Sequence, residues 1–470
     1  MKWKILATYI TIGTINFSCT KFVQVPPPPN LLSSSLVFSD STDANSATLG
    51  LYVLMAGSPS GEFQIFNGDL DVFCGLSSDE LISNTGIPDE GAAYMNALFS
   101  QNNTILGFWQ NTYQIIYQAN DIINSLPSST GVSNTAKSQF IGEALFVRSF
   151  CYFNLINLFG EVPLVTTTNY RTNAVLPKKA ISQVMNQIIA DLNEAQNLLS
   201  ISYPGTSGKV RANKYTAIAL LSKAYLYNQN WDSAYYFANQ VITSGVYSLE
   251  TDLNNVFLTG SNEAIFQMPS NLQGLETTEG YNFVPTSNSI IPNYTINSPL
   301  LSAFETGDQR RVNWIDSNQA NSLQYYFPYK YKLGYDGNYP PSEEYMIFRL
   351  GEQYLIRAES ETMGAGGGTG SAISDINIIR QRAGLGGILA SGQQQIMSAI
   401  VHERQVEMFC EWGNRWFDLK RWNLVDSVMG GVNGVCTLKG GTWSNYDTLY
   451  PVPNYEIQTN PFLTQNQGYN

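Results

Sequence analysis

Acidic and basic residues near the end of the chain stand at helical spacing. At steps of three, four and four the chain carries Arg404, Glu407, Glu411 and Arg415. A helix would place them in one stripe. Paired carboxylates can hydrolyse glycosides when one of them keeps its proton, whereas an acid beside a guanidinium stays ionised. Each Glu here has an Arg within one helical turn, which favours a structural ion-pair ladder that Arg421 would extend.

Histidine chemistry is limited to one residue, His402. A single imidazole excludes a multi-histidine metal site and any Ser–His or Cys–His nucleophile that does not use it. We expect His402 to be structural. The adjacent acids Asp89–Glu90 and Glu343–Glu344 are the other candidates for a glycosidase carboxylate pair. However, the side chains of neighbouring residues in a loop point in unrelated directions. The sequence therefore predicts no catalytic residues.

Metal and thiol chemistry are also weakly indicated. Apart from Cys19, the chain has four cysteines: Cys74, Cys151, Cys410 and Cys436. Their separations fit no zinc-binding pattern. Cys74 and Cys436 could pair in an oxidising compartment, which the sequence leaves open. Loop Asp and Asn oxygens would suit a structural calcium ion, yet the chain has no twelve-residue calcium loop. We predict no cofactor and no metal site.

The composition predicts a folded protein with a polar, weakly charged surface. The chain has 470 residues, of which 43% are apolar, 13% aromatic and 13% charged, against about 25% charged in average proteins. Its aromatic content supplies a core and argues against disorder. With a net charge of −12 and no run of Lys or Arg, nucleic acid is not expected as a partner.

The first 30 residues predict a targeting signal followed by a tether. Lys2 and Lys4 precede an apolar stretch over residues 5–17, too short to span a membrane. Ser18-Cys19 then resembles a bacterial lipoprotein box, although ordinary secretion remains an alternative. Pro26–Pro29 form a stiff, extended spacer. We predict a signal peptide over 1–18, an acylated Cys19 with a tether over 19–30, and a folded body over 31–470.

Periodic apolar residues predict a mainly α body. The predicted helices are 108–126, 138–159, 181–199, 214–227, 231–243, 344–363, 371–383, 393–412 and 414–422. The pair over 214–243, with Asn213 as N-cap, resembles a tetratricopeptide unit, and an unrelated antiparallel helix pair is the alternative. The segments about 61–107 and 246–341 are irregular, with short strand-like pieces at 264–268 and 325–333. Such long loops are usually functional.

Four stretches of the chain resemble one known family, the SusD/RagB family of outer-membrane nutrient-binding lipoproteins. The similarity lies in Gly142–Arg148 with Phe159–Pro163, in Lys214–Leu249, in the segment from His402 to Trp422, and in the tail from Tyr450-Pro-Val-Pro453 to Tyr469. The last two are specific. Trp412 separates Glu411 from Gly413, a small departure from the family pattern. The resemblance covers nearly the whole chain after the signal peptide.

The resemblance implies a fold, a location and partners. The fold would be a SusD-like helical body of tetratricopeptide-like hairpins with long loop insertions. The protein would be a lipid-anchored outer-membrane protein at the cell surface. It would act as a hinged lid on a TonB-dependent outer-membrane barrel of the SusC-like kind and deliver captured oligosaccharide to it without cutting it. A glycoside hydrolase and a helical-repeat scaffold for protein partners are the alternatives.

A carbohydrate site needs flat apolar rings with amides or acids beside them, and the two irregular segments supply both. The family varies most in these loops, so no ligand residue carries over position by position. From residue type alone we predict these ligand-binding residues: Asp89, Tyr94, Asn96, Tyr281, Asn282, Phe283, Asn293, Tyr294 and Tyr335. Each ring contact would contribute roughly 1 kcal/mol, so several would be needed.

Overall fold

The computed structural model describes residues 37–57, 64–206, 208–270, 275–334 and 341–469. The predicted signal peptide, Cys19 and the proline-rich tether lie outside these ranges. Their boundaries therefore stay predictions.

Long helices packed in series form the body. Each packs against the next in the order Asn103–Ser125, Asn134–Phe159, Ile181–Leu198, Lys214–Tyr227, Trp231–Ile242, Leu350–Thr362, Gly368–Arg382 and Gln393–Glu407. Neighbouring antiparallel helices bury faces that neither could bury alone. The predicted mainly α class with helical hairpins and short β pieces is confirmed.

A local signal starts the helix Lys214–Tyr227 at the predicted residue, whereas the helices Asn103–Ser125 and Asn134–Phe159 begin five and four residues before the predicted starts. The side chain of Asn213 accepts a 2.9 Å hydrogen bond from the Thr216 N–H, and Thr216 Oγ1 accepts one of 3.3 Å from the Asn213 N–H. This reciprocal cap satisfies two donors that the first helical turn leaves free. Inside the same hairpin the rings of Tyr225 and Phe237 stack at 5.6 Å. The predicted cap and hairpin are confirmed.

Shorter helices and single turns connect the long ones. Ser41–Met55 is a further helix of 15 residues. The shorter helices are Asp69–Ser77, Pro88–Tyr94, Tyr170–Asn173, Thr278–Phe283, Ser298–Ala303, Gln309–Asn313, Asn414–Arg421, Val425–Met429, Val435–Leu438 and Asn454–Thr459. The 3₁₀ turns are Ile65–Asn67, Leu126–Ser128, Leu253–Asn255 and Asn445–Thr448. Five of the shorter helices, from Asp69–Ser77 to Gln309–Asn313, lie within the two irregular segments.

The strands of the described segments form four antiparallel pairs. They are β1 (Leu81–Ser83) with β5 (Tyr294–Ile296), β2 (Val162–Pro163) with β3 (Lys178–Lys179), β4 (Ala264–Met268) with β8 (Tyr345–Arg349), and β6 (Ile315–Ala320) with β7 (Leu323–Pro328). Strand β4 has the predicted bounds, while β7 begins two residues before the predicted strand and ends at Pro328.

Strand β8 corrects the predicted helix over 344–363. Residues Tyr345–Arg349 are a strand, and the helix begins only at Leu350. All five strand residues are buried, and Phe348 pairs with Phe266 of β4 in an irregular register. Aromatic and β-branched side chains suit a buried pleated strand. Tertiary pairing with β4 therefore overrides the helical continuation.

One large hydrophobic core joins the helical stack to the β4–β8 pair. Phe146 meets Phe266 edge-on at 5.4 Å, and Phe150 lies 5.5 Å from Phe348 and 5.7 Å from Trp412. Within the described ranges, no helix combines the length and apolar character needed to cross a membrane.

The cysteines of the described body are free thiols. Cys74, Cys151, Cys410 and Cys436 are all buried and unpaired with one another. The disulfide between Cys74 and Cys436 that the sequence left open is therefore absent from this structure. Burial raises the pKa of the Cys74 thiol, which makes it a poor nucleophile.

Candidate functional site

Strands β1 and β5 bring the two irregular segments together on one surface. Ser83 pairs with Tyr294, and beyond the strand the Asn84 N–H donates a 2.8 Å hydrogen bond to the Asn293 carbonyl. The Tyr294 hydroxyl donates to Glu90 Oε1 at 2.8 Å. We name this surface, made of residues 81–96 and 281–294, the loop face. It unites predicted ligand residues from segments about 200 positions apart in the sequence.

Some of the predicted ligand residues on the loop face are accessible. Tyr281 is 58% exposed and Asn293 is exposed, while Asp89, Tyr94 and Asn282 are half-buried. Asp89 Oδ2 accepts a 2.9 Å hydrogen bond from the Asn103 N–H. Its carboxylate therefore already serves the start of a long helix. Among the predicted residues that the structure describes, Tyr281 has the most exposed ring.

Other predicted ligand residues belong to the protein interior, and those predictions are wrong. Phe283 and Tyr294 are 3% and 5% exposed, and their rings pack edge-on at 5.9 Å. Asn96 is 5% exposed and its amide donates to the Ser77 carbonyl at 2.8 Å. These side chains are buried because the two irregular segments need an interior of their own to stay folded. Tyr335 lies outside the described residues.

The helix Thr278–Phe283 sets the position of Tyr281. Thr277 Oγ1 caps it by accepting from the Gly280 N–H at 3.0 Å, and Tyr345 Oη accepts from the Thr278 N–H at 3.0 Å. A Cβ on Gly280 would fall 2.1 Å from the Leu333 carbonyl oxygen. The absence of a side chain at Gly280 thus lets the helix lie against the 329–334 segment.

Three exposed apolar side chains of the first segment were missed by the sequence analysis. Ile87, Met95 and Phe99 are 46%, 40% and 40% exposed, in or just after the loop face. Their signal was available, since they are apolar residues in a segment without helical or strand periodicity. Exposed apolar groups clustered on one face mark interaction surfaces.

Carboxyl groups with raised pKa values lie beneath this surface. Burial raises the pKa of Glu279 to about 8. Burial, and next the charge of Glu279, raise the pKa of Asp71 well above its ordinary value. A hydrolase would need such a pair to reach its substrate. Asp71 and Glu279 are only 3% and 1% exposed, which removes them from contact with any glycan.

The adjacent acid pairs that the sequence offered to a glycosidase are also largely buried inside the protein. Glu90 is 7% exposed and also accepts from Thr85 Oγ1 at 2.5 Å. Glu343 and Glu344 are 2% and 6% exposed, and burial raises the pKa of each to about 7. Glu343 accepts from the Lys332 and Leu333 N–H groups. These carboxylates hold the loops in place.

The predicted ion-pair ladder is wrong as a single helical stripe. Helix Gln393–Glu407 ends at Glu407, and helix Asn414–Arg421 starts anew. Between them Cys410, Trp412 and Gly413 take left-handed backbone angles, with φ of 49°, 52° and 63°. The turn redirects the chain, so residues spaced by four do not stack. The predicted helix over 393–412 therefore also ends too late.

The charged residues of this segment instead pair with distant parts of the chain. Arg349 of β8 is 1% exposed and donates to Glu263, Glu407 and Glu411 at 3.0, 2.5 and 2.8 Å. Arg310 and Arg382 also contact Glu407. Burial opposes the ionisation of Glu407, but the three guanidinium groups outweigh it and hold its pKa well below the ordinary value.

The arginines of the segment make further buried pairs. Arg404 donates to Asp418 at 2.6 Å and Arg415 donates to Asp79 at 2.7 Å. Arg421 bridges Glu359 and Asp418 at 2.5 and 2.7 Å. These pairs join the late helices to the helical stack and to the first irregular segment. They brace the body on which the loop face rests.

The structure also bears on His402 and on metal binding. His402 Nε2 lies 2.7 Å from the Ala303 carbonyl, a structural contact. Across the described ranges, no group of three or more His, Cys, Asp or Glu residues is placed to hold a metal ion. The absence of a cofactor and the open question of a structural calcium stay predictions.

Comparison with known proteins gives consistent matches. Residues 301–469 match the family model described as the SusD family, and residues 77–226 match one described as "Starch-binding associating with outer membrane". SusD-like protein P25 of Formosa agariphila is 24% identical, over 100% of this chain and 99% of that protein.

Solved structures show the same fold. A SusD superfamily protein of Bacteroides vulgatus superposes with a TM-score of 0.81 at 22% identity, covering 92% of this chain and 100% of the other. A structure named a laminarin binding SusD-like protein gives a TM-score of 0.76 at 22% identity, with the same coverage. At this identity the likeness concerns the fold.

Proposed function

Since the chain belongs to the SusD family, we propose that it is a non-catalytic glycan-binding protein that captures oligosaccharide at its loop face. The family description names starch binding and one structural neighbour is named for laminarin. The observation that carries the proposal is the loop face itself. It presents the Tyr281 ring at 58% exposure and the amides of Asn282 and Asn293, and β1 and β5 join this segment to the first one.

The accessible groups of the loop face match the chemistry of sugars. A tyrosine ring offers an apolar face for C–H groups, while amides exchange hydrogen bonds with hydroxyls. One exposed ring contributes roughly 1 kcal/mol, so the affinity expected for a short oligosaccharide is weak. Capture would then depend on several contacts along one glycan chain.

Isothermal titration of the purified chain against starch-derived and β-1,3-linked oligosaccharides tests the proposal. We expect binding with millimolar to micromolar affinity and a roughly fivefold weaker Kd for Tyr281→Ala. Tyr236→Ala is the matched control, since Tyr236 is 59% exposed on the helix Trp231–Ile242. No heat with any glycan, at protein concentrations adequate for millimolar affinity, would contradict the proposal. Release of new reducing ends would instead favour a hydrolase.

The proposal includes anchoring and delivery. Acylation at Cys19 would hold the protein on the outer membrane, and a TonB-dependent barrel would receive the captured glycan. Cell fractionation tests the anchor: Cys19→Ala should move the protein from the membrane fraction to the soluble one. Co-purification of a β-barrel transporter with the wild-type chain tests delivery. A chain that binds protein partners but no glycan would support the scaffold alternative.

A further inference from the structure

A second concave surface contains exposed aromatic rings that the loop face does not use. It encloses about 440 Å³ between helix Asn103–Ser125, the short helix Tyr170–Asn173 and the tail helix Asn454–Thr459. We name it the aromatic groove and define it by Trp109, Gln110, Tyr113, Tyr117, Tyr170 and Glu456. Small-molecule sites in proteins commonly enclose about 300–1,000 Å³. The groove is therefore large enough for a ligand of several sugar rings.

The rings of one wall follow the helix in a regular row. Trp109, Tyr113 and Tyr117 stand at steps of four residues, so they rise along one face at about 6 Å intervals. Trp109 is 3% exposed and packs edge-on against Phe159 at 5.0 Å. The Tyr113 hydroxyl donates to the Pro163 carbonyl at 2.8 Å. The floor of the groove is thus rigid.

The outer rings are accessible. Tyr117 is 50% exposed on the helix and Tyr170 is 70% exposed on the opposite wall. Arg171 Nε donates to the Tyr170 hydroxyl at 3.1 Å, which restrains that ring. Single exposed rings such as that of Tyr236 are common on protein surfaces, whereas several rings gathered on one concave surface mark an interaction site. Two accessible rings that line one groove can pack against the apolar faces of sugar rings.

Polar groups accompany the rings. Gln110 Nε2 donates to Glu456 Oε1 at 2.8 Å across the groove, and Asn173, Thr459 and Asn460 also line it. Glu456 is the single charged residue among the lining side chains that the structure describes. Amides and a hydroxyl beside rings suit the hydroxyl groups of a neutral sugar.

We propose that the aromatic groove is a second carbohydrate site that binds a neutral oligosaccharide. This inference rests on the proposed function. The groove begins close to the loop face, because Asn103, which Asp89 holds, precedes Trp109 by about 9 Å along the helix axis. Two weak sites on one rigid body raise the avidity for a long glycan over that of either site alone.

Hydrogen exchange of the full chain, with and without millimolar maltoheptaose or laminarihexaose, tests the proposal. We expect the ligand to protect the peptides over 109–117 and 170–174 as well as those over 281–294. The double variant Tyr117→Ala/Tyr170→Ala should lose protection in the groove and keep it at the loop face. Tyr281→Ala should show the converse, and Tyr236→Ala should change neither.

The outcomes separate this inference from the proposed function. Protection at the loop face alone, unaffected by the double variant, would overturn the groove as a sugar site while the proposed function stood. No protection anywhere with either sugar would remove both. Protection of the groove in the free chain that is lost on deleting residues 19–36 would show the proline-rich tether as its occupant and would also overturn the proposal.

On affinity gels with embedded polysaccharide, the double variant should be retarded less than the wild-type chain. Its apparent affinity for the polysaccharide should be weaker by roughly fivefold or more.

Discussion

The Tyr294 hydroxyl donates a 2.8 Å hydrogen bond to Glu90 Oε1, and this contact connects the two irregular segments behind the loop face. Both side chains are buried, at 5% and 7% exposure. Tyr294→Phe keeps the ring and removes the donor. We expect it to lower the free energy of unfolding by about 1–2 kcal/mol, measured by urea denaturation. Tyr236→Phe, at an exposed site, should change it by less than about 0.5 kcal/mol; equal effects would contradict the assignment.

Two glycines of the loop-face helices should respond differently to a methyl group. In Gly280→Ala the Cβ would fall 2.1 Å from the Leu333 carbonyl oxygen, whereas nothing lies within 4 Å of a Cβ on Gly91. Gly280→Ala should therefore shift the helix that carries Tyr281 and weaken glycan binding in titration. Gly91→Ala should leave both stability and binding near wild type, and a loss of binding there would count against the reasoning.

The charged core around Arg349 should tolerate no loss of its guanidinium. Arg349→Met leaves Glu263, Glu407 and Glu411 without their shared cation in a site that is 1% exposed. Breaking a buried pair in this way costs about 3–5 kcal/mol, to be measured by denaturant unfolding. Arg171→Met, at an exposed position, is the control. A loss below about 1 kcal/mol for Arg349→Met would show that the network matters little.

Stability should fall as the pH rises from 5 to 8.5, partly through Glu279. Its ordinary pKa of 4.5 is raised to about 8 in the folded protein. Between these values the folded state keeps a proton that the unfolded state has lost, so the free energy of unfolding decreases with pH. Glu279→Gln should flatten this decrease and stabilise the protein at pH 8.5 by on the order of 2 kcal/mol.

Glu305 supplies the control for that pH series. A hydrogen bond from Arg380 lowers the pKa of Glu305, so its titration in the folded protein lies below pH 5. Glu305→Gln should therefore leave the difference in stability between pH 5 and 8.5 unchanged. If Glu279→Gln behaves in the same way, the raised pKa of the buried acid is refuted.

The sequence by itself determined the helical stack and its caps. The 3.6-residue period of apolar side chains and the Asn213 cap are local properties, and they predict helices such as Ile181–Leu198 within one or two residues. The strand Ala264–Met268 was equally readable, since it is a short apolar run between turns. The family resemblance added the overall arrangement of these parts.

Only the tertiary structure decided which side chains face solvent and which charges meet. Tyr281 and Phe283 are two residues apart, yet the first is 58% exposed and the second 3%, because the second packs on Tyr294 from a distant segment. Glu407 pairs with Arg310, Arg349 and Arg382, and its sequence neighbours do not reveal them. Burial and ion pairing depend on contacts between remote positions, and a local pattern carries no information about those contacts.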